Sequence, residues 1–337
     1  MVWARKYVLK KHYTGAPKLS DYELVQYELP ALKDGEILVK AEWIGVDPYL
    51  RVYDSVFKVP YDQFGLQVAI VQESKDPDYP VATRVVSHKG WCDYSIIDTK
   101  APVKEVPWDI FYKLPDLKGL SPSLGVGAIG MPGATAYFAL IEVCQLKAGD
   151  TVVITGAAGA VGTVAGQIAK IKGCKVIGFA GSDIKVKWLE NELGFDKVFN
   201  YKKVNIHTAL KEAAPNGVDN YLDCVGGEIS SIIISQMNTF GKVVTIGSIS
   251  SYNADPSQLP KVTILQQYIV PKRLTIKGFV IWDEYKRWSE AFTNLINWIK
   301  EGKIKTPEHI TEGFTNIFEA FSGMLDGENL GKAVVKV

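Results

Sequence analysis

The chain has 337 residues, enough for two domains of ordinary size and too many for one small core. Hydrophobic residues make up 47% and charged residues 22%, a soluble globular composition that excludes the disordered and fibrous classes. With 38 Lys and Arg against 37 Asp and Glu the formal net charge is +1, so the basic stripe needed by a nucleic-acid partner is missing. The first residues, MVWARKYVLKKHY, hold no apolar core of a secretory leader. The most apolar stretch, Leu120 to Cys144, is interrupted by Pro122, Pro132 and several glycines, and no membrane span is expected there. Cys92, Cys144, Cys174 and Cys224 lie far apart with no C-x-x-C pair, the spacing of free thiols in a reducing compartment. A cytoplasmic address is therefore expected.

In chain order, the first 125 or so residues read as β-rich. KYVLKKHY, YELVQYEL, EILVKAEWIGV and ATRVVSHKGWCDYSII are rich in Val, Tyr and Trp and are punctuated by Gly15, Pro17, Pro30 and Gly35. The character changes near Gly127. TVVIT is a continuous apolar run, as in a strand buried on both faces. Val161, Val164, Ala165, Ile168 and Ile171 then recur at helical spacing, with Gly173 at the position of a C-cap. KVIGFA, KVFNY, VDNYLDCV, KVVTIGSI and LTIKGFVI supply five more strands, and DIKVKWLENEL reads as a helix stopped by Gly194. This alternation predicts an α/β fold, a six-stranded doubly wound parallel sheet of the Rossmann type. Trp288, Phe292, Leu295, Ile296 and Ile299 mark a following amphipathic helix. The tail from about Pro307 is too short for a domain of its own and is expected to rejoin the N-terminal one. The expected division is 1–127 with 307–337, and 128–306.

The turn TGAAGAVG carries the first chemistry. Gly156 permits a tight turn, Gly159 lets backbone N–H groups approach a pyrophosphate, and Gly162 lets the helix pack close to the strand. Ala158, Ala160 and Val161 complete the candidate phosphate-binding set, at a helix N-terminus that offers unpaired donors and a positive dipole end. The bland reading of the same string is a tight strand–helix turn. At the end of the second strand stand Gly181, Ser182, Asp183 and Lys185. Lys185 and the Ser182 hydroxyl suit the ribose phosphate of NADP(H); Asp183 is either a helix cap or the acid of an NAD site. On balance these residues favour NADP(H).

His12, His88, His207 and His309 have no Cys or Glu partner at metal-ligand spacing, and no four-cysteine cluster exists. No G-x-S-x-G elbow suggests a serine nucleophile. Hydride chemistry here would have to stabilise negative oxygen by hydrogen bonds rather than by a metal.

Several motifs resemble the medium-chain dehydrogenase/reductase superfamily, and within it the zinc-independent prostaglandin reductases (leukotriene 12-hydroxydehydrogenase/15-oxoprostaglandin 13-reductase, alkenal double-bond reductases). They run nearly end to end: LKKHYTG, VDPYLR at Asp47–Arg51, GMPGATAYFAL at Gly130–Leu140, GSDIKVKWL, FNYK, DCVGGE, ISSYN at Ile249–Asn253 and GENLGKAVVKV. The resemblance implies a GroES-like β-barrel as the N-terminal domain, a nicotinamide in the cleft between domains, and a homodimer. It implies that Lys185 and Tyr201 hold the NADP ribose phosphate, that Asn329 bonds the nicotinamide carboxamide, that Tyr252 stands near the reacting carbonyl, and that Tyr49 lines the substrate cleft. Each has a bland counterpart. Tyr201 reads equally as a strand tyrosine, Tyr49 and Tyr137 as core aromatics with satisfied hydroxyls, and Asn329 as a turn residue. The implied activity is NADPH-dependent reduction of the double bond of enals and enones, 15-oxo-prostaglandins among them, with no metal, membrane or nucleic-acid partner. The alternatives are an NADPH quinone reductase and a non-catalytic dinucleotide-binding relative.

Overall fold

Alternation of β-branched and aromatic residues with polar ones makes strands of the N-terminal runs. They are β1 (Val2–Leu9), β2 (Tyr22–Leu29), β3 (Glu36–Gly45), β4 (Tyr61–Asp62), β5 (Gln67–Ser74), β6 (Arg84–Ser87), β7 (Tyr94–Asp98) and β8 (Phe111–Lys113), with a short helix α1 (Tyr49–Val52) after β3. The long run ATRVVSHKGWCDYSII makes two strands, β6 and β7, with Gly90 between them at φ +77°. β1 pairs antiparallel with β2 and β4, and β3 with β5 and β7. The computed structural model describes residues 1–101, 110–259 and 261–337. It divides into two compact units, one of Met1–Gly130, Glu308–Glu328 and Ala333–Val337, the other of Met131–Pro307 and Asn329–Lys332.

The second unit opens with α2 (Met131–Phe138), then alternates β9 (Thr151–Thr155), α3 (Ala160–Ile171), β10 (Lys175–Ala180), α4 (Asp183–Leu193), β11 (Lys197–Asn200), α5 (Ile206–Ala213), β12 (Val218–Asp223), α6 (Gly227–Ser235), β13 (Met237–Thr245), α7 (Gln266–Lys272), β14 (Thr275–Gly278) and α8 (Trp288–Lys300). All five neighbouring pairs of the sheet are parallel, in the order β11-β10-β9-β12-β13-β14. The order reverses between β9 and β12, which places a ligand crevice at the carboxyl ends of these strands. Val153, Ile177, Phe179, Tyr221 and Val243 are fully buried in the core beneath.

Two features depart from the sequence reading. The helix α3 is buried on nearly all sides, Thr163, Gly166 and Gln167 included, since α2 packs against it. Gln167 is accommodated because its amide donates to the Thr163 and Lys305 carbonyls and accepts from the Lys305 N–H. The helix α2 itself has no visible apolar period, being apolar all round with Pro132 in its first turn, where a missing N–H costs nothing. One π-helical turn, Ala139–Cys144, prolongs it, and Gln145 ends it with φ +54°.

The tail supplies β15 (Glu308–Glu312), α9 (Ile317–Leu325) and β16 (Lys332–Lys336). β16 pairs antiparallel with β3, extending the larger sheet to β15-β16-β3-β5-β6-β8 with β7 also on β3. Phe314, Ile317, Phe321 and Val335 join Tyr7, Tyr22, Ile44 and Trp91 in one buried cluster. Each such side chain contributes about 1.5–3 kcal/mol by leaving water. Among the described residues no helix is long and apolar enough to cross a membrane.

Candidate active site

The glycine turn leaves β9 at Gly156 (φ +63°) and enters α3 through Gly159, its N-cap. Gly162 sits directly over the turn: a β-carbon there would stand 2.5 Å from the Gly156 carbonyl oxygen and 2.8 Å from the Ala157 α-carbon. Only a glycine lets the helix start this low, and that height aims its first N–H groups across the strand ends. Ala158 is buried, while Ala160 and Val161 are partly exposed on the first turn. The ENLGK segment lies across this turn, with Gly331 N–H donating to the Ala158 carbonyl at 2.9 Å and Gly331 bridging Gly159 in parallel. Asn329, 9% exposed, donates from its side-chain amide to the Gly331 carbonyl at 2.7 Å. Gly331, far beyond Gly162 in sequence, is thus brought against the glycine turn, with Asn329 bonded to its carbonyl.

A second group forms at the ends of β10 and β11, where Ala180 and Asn200 are register partners. The Tyr201 hydroxyl lies 3.4 Å from where a β-carbon on Gly181 would stand, and the Lys202 ε-carbon 3.7 Å. Ser182 is the N-cap of α4, its hydroxyl oxygen accepting the Lys185 N–H at 3.4 Å. Asp183 is therefore not the cap; it is the first helical residue, and its carboxylate accepts from the Asn200 amide at 2.7 Å and pairs with Lys203 at 2.6 Å. The Asn200 bond, with help from Lys203, holds that carboxyl below its ordinary range. Asp183 is thus already committed to cationic and amide partners, a poor posture for gripping ribose hydroxyls. Burial, then the charge of Lys202, pushes the Lys185 ammonium below its ordinary value. Two like charges beside a half-buried site favour an anion there.

The third group is carried by β12 and β13. Cys224 and Val225 pack against Gly156, a β-carbon on which would lie 3.3 Å and 3.7 Å from them. Ile249 N–H donates to the Cys224 carbonyl at 3.4 Å, and Ser250 to the Val225 carbonyl. Tyr252 follows on this loop, partly exposed, its hydroxyl accepting the Ser248 backbone N–H at 2.9 Å. The hydroxyl lies over residue 247, where a β-carbon would stand 2.9 Å from it. Burial and the neighbouring Asp223 carboxylate raise the Cys224 thiol well above its ordinary value, so it is no thiolate nucleophile.

Tyr49 belongs to the other unit. Its ring stacks on Phe64 and His88, and its hydroxyl lies 2.9 Å from His88 Nε2. Burial, then Asp47, keeps the phenol protonated far above neutrality. Tyr137 is buried, donating its hydroxyl to Glu290 and accepting from the Asn294 amide. Among the described residues no three His, Cys, Asp or Glu side chains gather as metal ligands.

Comparison with known proteins decides the family. A model of the N-terminal domain of oxidoreductases matches residues 5–104, and one described as zinc-binding dehydrogenase matches residues 160–301. Prostaglandin reductase 1 of Bos taurus is 46% identical over the whole of both chains. The chain belongs to the prostaglandin reductase family. It is a zinc-independent branch of the medium-chain dehydrogenases/reductases. The NADP(+)-dependent 2-alkenal reductase of Nicotiana tabacum is 34% identical, covering 99% of this chain and 97% of its own. The crystal structure of CurA from Vibrio vulnificus in complex with NADPH is 34% identical with a TM-score of 0.89, covering 99% of both chains. The family's motifs do not by themselves single out Lys202 or Gly247. FNYK contains the lysine, and a glycine shortly before a loop tyrosine is the only sequence signal for the second.

Proposed function

We propose that this reductase uses NADPH to saturate the carbon–carbon double bond of α,β-unsaturated aldehydes and ketones, 2-alkenals and 15-oxo-prostaglandins among them. The observation that carries this reading is the Tyr252 phenol on the loop that follows β13, its oxygen fed by the Ser248 N–H. A phenol that accepts an N–H is polarised toward donating its own proton. When bound, NADPH supplies the hydride for the β-carbon. Gly156, Ala158, Gly159, Ala160, Val161 and Gly162 hold its pyrophosphate. Ser182, Lys185 and Tyr201 hold the ribose phosphate, and Asn329 the carboxamide. The fit rests on the cradle over Gly181 and on the lowered helix start at Gly162.

As the β-carbon gains hydride, negative charge builds on the carbonyl oxygen, and Tyr252 donates to it. A donor placed where charge develops accelerates the step more than one that only binds substrate. The α-carbon then takes a proton. Tyr49, within its cluster of Phe64 and His88, offers an apolar ring for the substrate's hydrocarbon. Such a wall selects by area, with one methylene worth about 1–3 kcal/mol.

The first unit serves the substrate and the second the dinucleotide. The cytoplasm is the proposed compartment, consistent with four free thiols, of which three are buried. The proposed partner is a second copy of the chain. Strand β14 ends the parallel sheet with all four residues exposed, Ile276 among them, and Val270 and Val280 on the flanking segments are exposed too. An exposed, unpaired edge of this kind favours strand pairing with another chain. Light scattering should return the mass of two chains; the mass of one would refute the dimer.

The reaction class is tested by consumption of NADPH on a 2-alkenal, a 15-oxo-prostaglandin and a simple quinone, with NADH in parallel. Fast turnover of the first two, and slow turnover with NADH, is expected. Turnover of the quinone alone would favour a quinone reductase, and tight NADPH binding without consumption a non-catalytic relative.

A further inference from the structure

Tyr252 stands on a loop whose own hydrogen bonds are mostly short-range. Ser251 N–H donates to the Ser248 carbonyl, Tyr252 N–H to the Ile249 carbonyl, and Ser248 and Ser251 share a hydroxyl contact at 2.9 Å. Such a 3-10 turn, Ile249–Ser251, fixes local shape but not its place in the molecule. Its place is set by the loop after β12. Ile249 N–H reaches the Cys224 carbonyl, and Ser250 gives the Val225 carbonyl both its backbone N–H, at 3.2 Å, and its hydroxyl, at 2.6 Å.

That receiving loop is held in turn by one buried carboxylate. Asp223, 3% exposed, accepts from the Val225 N–H at 3.1 Å, the Gly226 N–H at 2.9 Å and the Ser230 hydroxyl at 2.6 Å. Thr155, the last residue of β9 before the glycine turn, donates to the same carboxylate at 3.3 Å and accepts the Cys224 N–H at 3.1 Å. A buried charge with this many donors is rigid, because losing any one of them leaves a desolvated group unpaired. The chain of bonds therefore runs from the end of β9, through Asp223 and the Val225 carbonyl, to Ser250 and the tyrosine two residues on.

We infer that Ser250 is a positioning residue: its doubled bond to the Val225 carbonyl, on the turn anchored by Asp223, registers the Tyr252 hydroxyl against the glycine turn. This rests on the assignment of Tyr252 as the donor to the substrate oxygen. Ser250 acts through the loop, by way of its two bonds to the Val225 carbonyl.

The test compares Ser250→Ala, Ser250→Thr, Tyr252→Phe and the Ser250→Ala/Tyr252→Phe double variant. Losing one such hydrogen bond corresponds to about a 5-fold change, so Ser250→Ala should lower kcat on a 2-alkenal by about 5-fold with the KM for NADPH unchanged. Ser250→Thr, which keeps the hydroxyl, should restore it. In the Tyr252→Phe background the same alanine should cost nothing further, since the group it positions is gone. In the protein without cofactor, amide hydrogen exchange of residues 248–254 should quicken about 5-fold in Ser250→Ala and stay unchanged in the helices. An equal loss in both backgrounds, or no loss and no change in exchange, overturns the inference while leaving the Tyr252 reading standing. Full turnover by Tyr252→Phe alone overturns both.

Discussion

Tyr252→Phe should lower kcat on a 2-alkenal by about 10²–10³-fold, the usual effect of removing one donor from a developing oxyanion. The variant removes a single oxygen, the one that accepts the Ser248 N–H. The loop has other anchors at Cys224 and Val225, so its path and the fold should survive. NADPH affinity should therefore hold while turnover falls, the pattern of an interaction made in the transition state rather than in the ground state. Gly247→Ala is the companion variant. Its new methyl group would stand 2.9 Å from the Tyr252 hydroxyl, so it should displace the oxygen and lower kcat in the same direction. Stopped-flow or steady-state rates at saturating NADPH check both. Unchanged turnover in Tyr252→Phe removes the tyrosine from the mechanism.

Lys185→Gln should raise the KM for NADPH by about 10–100-fold, since a hydrogen bond to a charged group is worth about 1.5–3 kcal/mol. The KM for NADH should stay where it is, because the adenosine without its phosphate gives the ammonium nothing to bond. Burial and Lys202 already hold the Lys185 ammonium below its ordinary value, and a phosphate dianion beside the pair would offset that strain. Steady-state kinetics with both cofactors decide the matter. An equal loss with NADPH and NADH would show that Lys185 supports the fold of α4 rather than reading the phosphate.

The cofactor-binding half of the fold was legible because its signals are local and repeated. TVVIT, KVIGFA and DIKVKWLENEL match β9, β10 and α4 residue for residue, since apolar runs and a stopping glycine each act within one element, whereas the cap proved to be Ser182 and not Asp183. KVVTIGSI was less faithful: β13 begins five residues earlier, at Met237, and ends at Thr245, where the chain leaves the sheet to form the Tyr252 loop. Helix α2 was hidden because burial on every side erases the periodicity from which helices are read. Site contacts that join distant segments had no local signature. Neither the contact of Gly331 with the glycine turn nor the grip of Ser250 on Val225 follows from spacing, since both depend on how distant segments line up on the sheet. Tyr137 illustrates the opposite case, a conspicuous motif tyrosine whose hydroxyl is absorbed by Glu290 and Asn294.

Delivery of hydride to carbon–carbon rather than carbon–oxygen bonds is tested most directly by isotope placement. NADPH deuterated at the transferring position should be incubated with a 2-alkenal and the product examined by mass spectrometry and NMR. The expected product is a saturated aldehyde with one deuterium on the former β-carbon. An allylic alcohol with deuterium on the carbinol carbon would contradict it.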